Sequence, residues 1–147
     1  MALEIIEHNL SWNGEPEKRS RTECIVLHHL ASEKASLLDV HNRHLSAGWS
    51  GIVYHFYIRK DGSIHRGRPE DSIGAHALGY NPCSIGICFE GSFEAEDMTE
   101  TQKTAGRELI SYLVVKYDLR SIFLHSDISP DLCPGANFPF KELTGTP

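Results

Sequence analysis

Short apolar runs, each closed by polar or Gly/Pro punctuation, alternate along this chain with two amphipathic stretches. Leu3 to Glu7 reads as a short first strand, and Trp12 to Arg21, polar and carrying Gly14 and Pro16, as a surface loop. Glu23 to His29 is β-branched and apolar, the pattern of a buried strand. Alternation along it puts Cys24, Val26 and His28 on one face and Ile25, Leu27 and His29 on the other. Ser36 with Asp39 resembles a capping box; Leu37, His41, His44 and Leu45 then recur at helical spacing until Gly48. Ile52 to Lys60 alternates Tyr54, Phe56 and Ile58 against His55, Tyr57 and Arg59, and Asp61-Gly62 predicts a hairpin into Ser63 to Gly67. After a loop from Arg68 to Pro82, SIGICFE is a further buried strand. Thr99 with Gln102 opens a long helix containing Leu109, Ile110, Leu113 and Val114, and Ser121 to Leu124 is a last short strand ending at His125. Ser126 to Phe138 reads as a Pro-rich loop, followed by a short closing helix to Leu143. The order β-β-α-β-β-β-α-β-loop-α predicts an α/β (α+β) fold with a central mixed sheet flanked by helices.

At 147 residues, 40% hydrophobic and 23% charged, the chain fits one packed domain and excludes wholesale disorder and a coiled coil. No run approaches the ~18 apolar residues of a membrane helix. The first residues lack a basic segment followed by an apolar one, so a chain made in the cytoplasm without a Sec signal is expected; a monomer is expected as well. With 14 Lys+Arg against 20 Asp+Glu, a formal charge of -6 offers no footprint for a phosphate backbone, which argues against nucleic acid.

Nine histidines are a heavy load of the residue that titrates near neutrality and binds transition metals. Cys24, Cys83, Cys88 and Cys133 are irregularly spaced, without a CxxC pair, and read mostly as reduced. Strand ends and loops are where distant side chains converge, and three donors occupy such places. His28 ends one central strand, His125 ends another, and Cys133 lies in a loop between Pro130 and Pro134. Two imidazoles and a thiolate suit a three-ligand zinc site with a fourth position open. The spacing alone also suits a packed core histidine, or a thiol hydrolase with Cys133 as nucleophile and His125 as base.

The strings IVLHHLA, GWSGIVYHFYIRKDGSIHRGR, IGAHALGYNPCSIGICFEG and LHSDISPDLCPG, in this order, resemble the zinc-dependent N-acetylmuramoyl-L-alanine amidases of phage endolysin type, relatives of the animal peptidoglycan recognition proteins. The resemblance implies that fold, with residues 1–143 as the catalytic domain, and hydrolysis of the amide between N-acetylmuramic acid and L-alanine of the peptidoglycan stem. It implies His28, His125 and Cys133 as zinc ligands, Tyr54 as the hydroxyl beside the metal, and His76 and Asn81 as contacts to the stem peptide. Some members carry Lys two residues before the cysteine ligand, where this chain has Asp131. A carboxylate cannot stabilise an oxyanion while ionised, so Asp131 is expected to move protons instead; Glu90, the other carboxylate, is expected to end its strand in solvent or to reach the cleft as a base. A non-catalytic wall-binding module is the competing expectation. The ending LTGTP resembles the start of a linker at 144–147, consistent with a wall-binding module beyond it. Without a Sec signal, an enzyme that cuts cell wall is expected to reach it by lysis or another non-Sec route.

Overall fold

The computed structural model describes residues 3–32 and 34–145. Its elements are β1 (Ile5–Ile6), β2 (Cys24–His29), α1 (Leu37–Ser46), β3 (Phe56–Ile58), β4 (Ile64–Arg66), β5 (Ser84–Phe89), α2 (Glu100–Tyr117), β6 (Ser121–Leu124), α3 (His125–Ile128) and α4 (Phe140–Thr144). Among the described residues the strands form one six-stranded sheet in the order β1-β4-β3-β5-β2-β6. Only the β3–β4 hairpin pairs antiparallel; the other neighbours are parallel. The mixed sheet with flanking helices expected from the pattern is therefore what the chain forms.

The two faces of the sheet do different work, and the period-two alternation of β2 decides which residue goes where. Ile25 and Leu27 join Phe56, Ile58, Ile85, Ile87 and Phe89 in the larger core, under Leu109, Ile110 and Leu113 of α2 and Leu143 of α4. The opposite face carries Tyr57 and Cys88 against Leu37 and Val40 of α1. His28 pairs in register with Cys88, and Cys88 with Tyr57, so His28 belongs to the α1 face. Burying a large aliphatic side chain contributes about 1.5–3 kcal/mol, and β2 and β5 are buried along their whole length.

Both long helices start where their caps predict. Ser36 and Asp39 exchange reciprocal hydrogen bonds of 3.1 and 3.0 Å at α1. Thr99 Oγ1 accepts from the Gln102 amide at 3.2 Å and itself donates to the Lys60 carbonyl at 2.7 Å. α2 stops at Asp118, whose φ of 52° is left-handed.

Three strands are shorter than the alternation suggests. The expected strand from Ile52 to Lys60 is reduced to Phe56–Ile58 because side chains, not a neighbouring strand, satisfy its first amides. Ile52 N–H donates to His41 Nδ1 at 3.0 Å, and Val53 N–H to His44 Nδ1 at 3.2 Å. His41 Nε2 then donates to the Ser11 carbonyl at 2.8 Å, tying α1 to the loop before β2. β1 and β4 shrink similarly to Ile5–Ile6 and Ile64–Arg66. The Pro-rich loop after β6 opens with the single helical turn α3, capped by Asp127 Oδ2 accepting from Leu124 N–H at 2.9 Å. α4 runs through Thr144, and residues 146 and 147 of the expected linker lie outside the described residues.

Candidate metal centre

In a parallel sheet, side chains at the carboxyl ends of neighbouring strands face a common point. β2 and β6 are such neighbours, with Leu27 paired to Leu124. The next residue of each chain segment is a histidine, His28 and His125, and their ring centroids lie 4.6 Å apart. Cys133 is brought to the same point by the loop after α3. Its N–H donates to Asp131 Oδ1 at 3.0 Å, its carbonyl accepts from Ser126 N–H at 2.8 Å, and its Sγ accepts from His29 N–H at 3.4 Å. The Cys133–Pro134 bond is cis. His28, His125 and Cys133 each present a ligand atom, all within 4.8 Å of one another, as the one metal-competent cluster among the described residues.

This donor set fits a divalent zinc ion. Tetrahedral bonds of ~2.0–2.1 Å to nitrogen and ~2.3 Å to sulfur place donor atoms roughly 3.3–3.6 Å apart; His28 Nδ1 and Cys133 Sγ are 3.8 Å apart. Burial, with the neighbouring His125 and His29, holds the His28 imidazole well below its ordinary pKa, so it is neutral and able to donate a lone pair. Burial also pushes the Cys133 thiol up to about 12. A thiolate so buried needs a cation beside it, which a metal held by the cluster would supply.

Around the donors, the expected site residues fall into distinct places. The Tyr54 ring lies 5.0 Å from His28, centroid to centroid, and 5.9 Å from His44. Burial first, then the neighbouring Cys88 and Cys133, hold its hydroxyl well above the ordinary tyrosine range, so it stays a proton donor. Asp131 Oδ2 is 3.0 Å from His125 Nδ1, while Oδ1 takes the Cys133 amide. Asp127, the other carboxylate near His125 in sequence, caps α3 instead.

His76 and Asn81, the residues expected to contact the stem peptide, lie together on the loop before β5. His76 is only 7% exposed, and both ring nitrogens are engaged: Nδ1 lies 2.9 Å from His28 Nε2, and Nε2 lies 3.2 Å from Ser84 Oγ. Asn81 Oδ1 accepts from the backbone N–H of His76 and Ala77 at 2.9 and 2.8 Å, bracing the loop that delivers the ring. Glu90, expected to end its strand in solvent or reach the cleft, is 3% exposed and does neither. Its carboxylate accepts from Arg59, Lys60 N–H and Ala35 N–H. The sequence did hold a signal for the buried imidazole: Gly86 inside an otherwise bulky buried strand marks a close approach. A Cβ there would sit 2.6 Å from the His76 ring.

Comparison with known proteins identifies the family. A family model described as N-acetylmuramoyl-L-alanine amidase matches residues 18–136. The endolysin of Klebsiella phage KP32 is 34% identical over 125 residues, covering 80% of this chain and 83% of the relative. Peptidoglycan-recognition protein SC1a of Drosophila melanogaster is 33% identical over 132 residues, covering 82% and 71%. The structure of the endolysin N-acetylmuramoyl-L-alanine amidase LysCS from Clostridium intestinale URNW superposes with a TM-score of 0.94 at 41% identity, covering 97% of this chain and 93% of that one.

Proposed function

Since the chain belongs to the N-acetylmuramoyl-L-alanine amidase family, we propose that it hydrolyses the bond between the lactyl carbonyl of N-acetylmuramic acid and L-alanine in peptidoglycan, as a lytic enzyme of phage or prophage type acting on the cell wall. The observation that carries this reading is the convergence of His28, His125 and Cys133 within 4.8 Å at the sheet's carboxyl edge. These three would hold zinc, which when bound supplies Lewis acidity to the scissile carbonyl and to water.

The protein's own residues supply the rest. An amide carbonyl gains negative charge as water adds, and Tyr54, whose ring lies 5.0 Å from His28 and whose hydroxyl stays protonated, would donate to that oxygen. Asp131 is the carboxylate next to the donors. A carboxylate oxygen accepts more than one hydrogen bond, so Asp131 can anchor His125 and still take the proton of the attacking water, then return it to the departing alanine amine. In this reading the stem peptide would lie along the loop that carries His76 and Asn81, where Leu78 is 94% exposed.

Recognition without cleavage is the second reading, favoured by the likeness to recognition proteins; the thiol of Cys133 in the cluster favours hydrolysis. Metal analysis combined with mass spectrometry of digested peptidoglycan tests both. Stoichiometric zinc and released stem peptides with a free L-alanine amine are expected, and both should disappear in His28→Ala and Cys133→Ala. Undiminished release by metal-free protein would overturn the metal-dependent reading, and bound muropeptide without product would establish recognition alone.

A further inference from the structure

A histidine that donates one ring nitrogen to a metal carries its proton on the other, and whatever accepts that proton sets both the tautomer and the ring plane. At His28 the two edges of the ring are plainly divided. Nδ1 faces Cys133 Sγ at 3.8 Å, and Nε2 faces His76 Nδ1 at 2.9 Å. We propose that His76 is a positioning residue: its Nδ1 accepts the Nε2 proton of His28, holding His28 in the tautomer that leaves Nδ1 bare toward the metal. This rests on the metal-dependent reading above and gives His76 a task other than touching substrate.

The tautomers run on consistently from there. With Nδ1 accepting, neutral His76 carries its proton on Nε2, which donates to Ser84 Oγ at 3.2 Å. The reverse order, with His76 Nδ1 donating, would put the His28 proton on Nδ1, between the ring and the sulfur. Every member of the chain is buried: His28 is 2% exposed, His76 7% and Ser84 0%. Solvent therefore cannot take over as acceptor, and an unmet ring N–H would cost about 1–3 kcal/mol.

The surroundings are shaped for that ring. Ser84, Gly86 and Cys88 share one face of β5, and the imidazole lies across Gly86. A Cβ on Gly86 would come within 2.6 Å of His76 Cγ, and one on Gly74 within 2.6 Å of His76 Cδ2. His55 stands edge-on at 5.7 Å between ring centroids and is itself fixed, its Nδ1 accepting from Gly86 N–H at 3.0 Å. Asn81 holds the backbone at the other end of the side chain. Two glycines, a second histidine and an asparagine thus converge on one imidazole that the hydrolytic steps do not use.

The test pairs zinc affinity, read by competition with a chelator, with long-range 15N imidazole spectra of the zinc-titrated protein. In the wild type, His28 should be protonated on Nε2. His76→Ala should bind zinc about 10–100-fold more weakly. His76→Asn, whose side-chain oxygen can replace Nδ1 as acceptor, should recover most of that loss; a merely space-filling role would give no such rescue. Zinc affinity within twofold of wild type in folded His76→Ala, or a His28 proton on Nδ1 in the wild type, would overturn the proposal. Failure of the wild type to bind zinc at all would sink the metal reading instead, and the spectra would still decide where the His28 proton sits.

Discussion

At the scale of single residues, the site separates groups that hold from groups that react. Tyr54→Phe keeps the ring against His28 and removes only the hydroxyl. The variant should retain stoichiometric zinc and lose about 10²–10³ in kcat, the usual cost of one oxyanion donor; an unchanged kcat would take Tyr54 out of the reaction. Asp131→Asn keeps an oxygen for His125 but no proton acceptor. It should retain metal and slow hydrolysis by about 10²–10⁴, and a rate close to wild type would leave Asp131 as an anchor for His125 alone. His28, His125 and Cys133 could be picked out of the sequence because motif order identifies each of them. The partnership of His28 with His76 could not, since it depends on β2 and β5 pairing so that Ser84, Gly86 and Cys88 pass beneath the same edge. Asp131 was legible as a departure from its relatives, yet its bond to His125 at 3.0 Å needed the loop's path.

Among the elements, the join between β3, β5 and α1 turns on one carboxylate. Burial alone would raise the pKa of Glu90, but Arg59 and the amides of Lys60 and Ala35 outweigh it and hold the group below its ordinary value. A depressed carboxylate contributes stability that is full above its unfolded pKa of roughly 4.3 and is lost as pH falls through the lower folded value. Glu90→Gln should therefore lower unfolding free energy at pH 7 and flatten its decline below pH 4, as measured by urea titration across pH. An unaltered acid limb would show that other carboxylates dominate it. Removing the Thr99 cap with alanine should cost about 1 kcal/mol, somewhat more because the hydroxyl also ties α2 to Lys60 at 2.7 Å. Alternation along Ile52 to Lys60 revealed which residues face inward but not how long the strand is. A hydrophobic pattern cannot register that His41 and His44 take the backbone amides of Ile52 and Val53 away from the sheet.

For the molecule as a whole, the sheet order explains why the donors meet where they do. Parallel neighbours point their carboxyl ends the same way, so β2 and β6 deliver His28 and His125 together, and the loop behind α3 has only to return Cys133 beneath His29. Zinc held by the folded state alone should raise the melting temperature. At free zinc 100-fold above its dissociation constant the gain is ~2.7 kcal/mol, or roughly 5–10 °C for a domain of this size. Calorimetry with and without chelator measures it, and identical melting curves would mean that the folded state holds no ion. The edge position of β6 also carries a temporal implication. A ribosome that has finished β5 and α2 has already laid down the body of the sheet, but of the three donors only His28 is present. Any product cut short before residue 133 lacks the full donor set, so competence waits on the loop that follows α3.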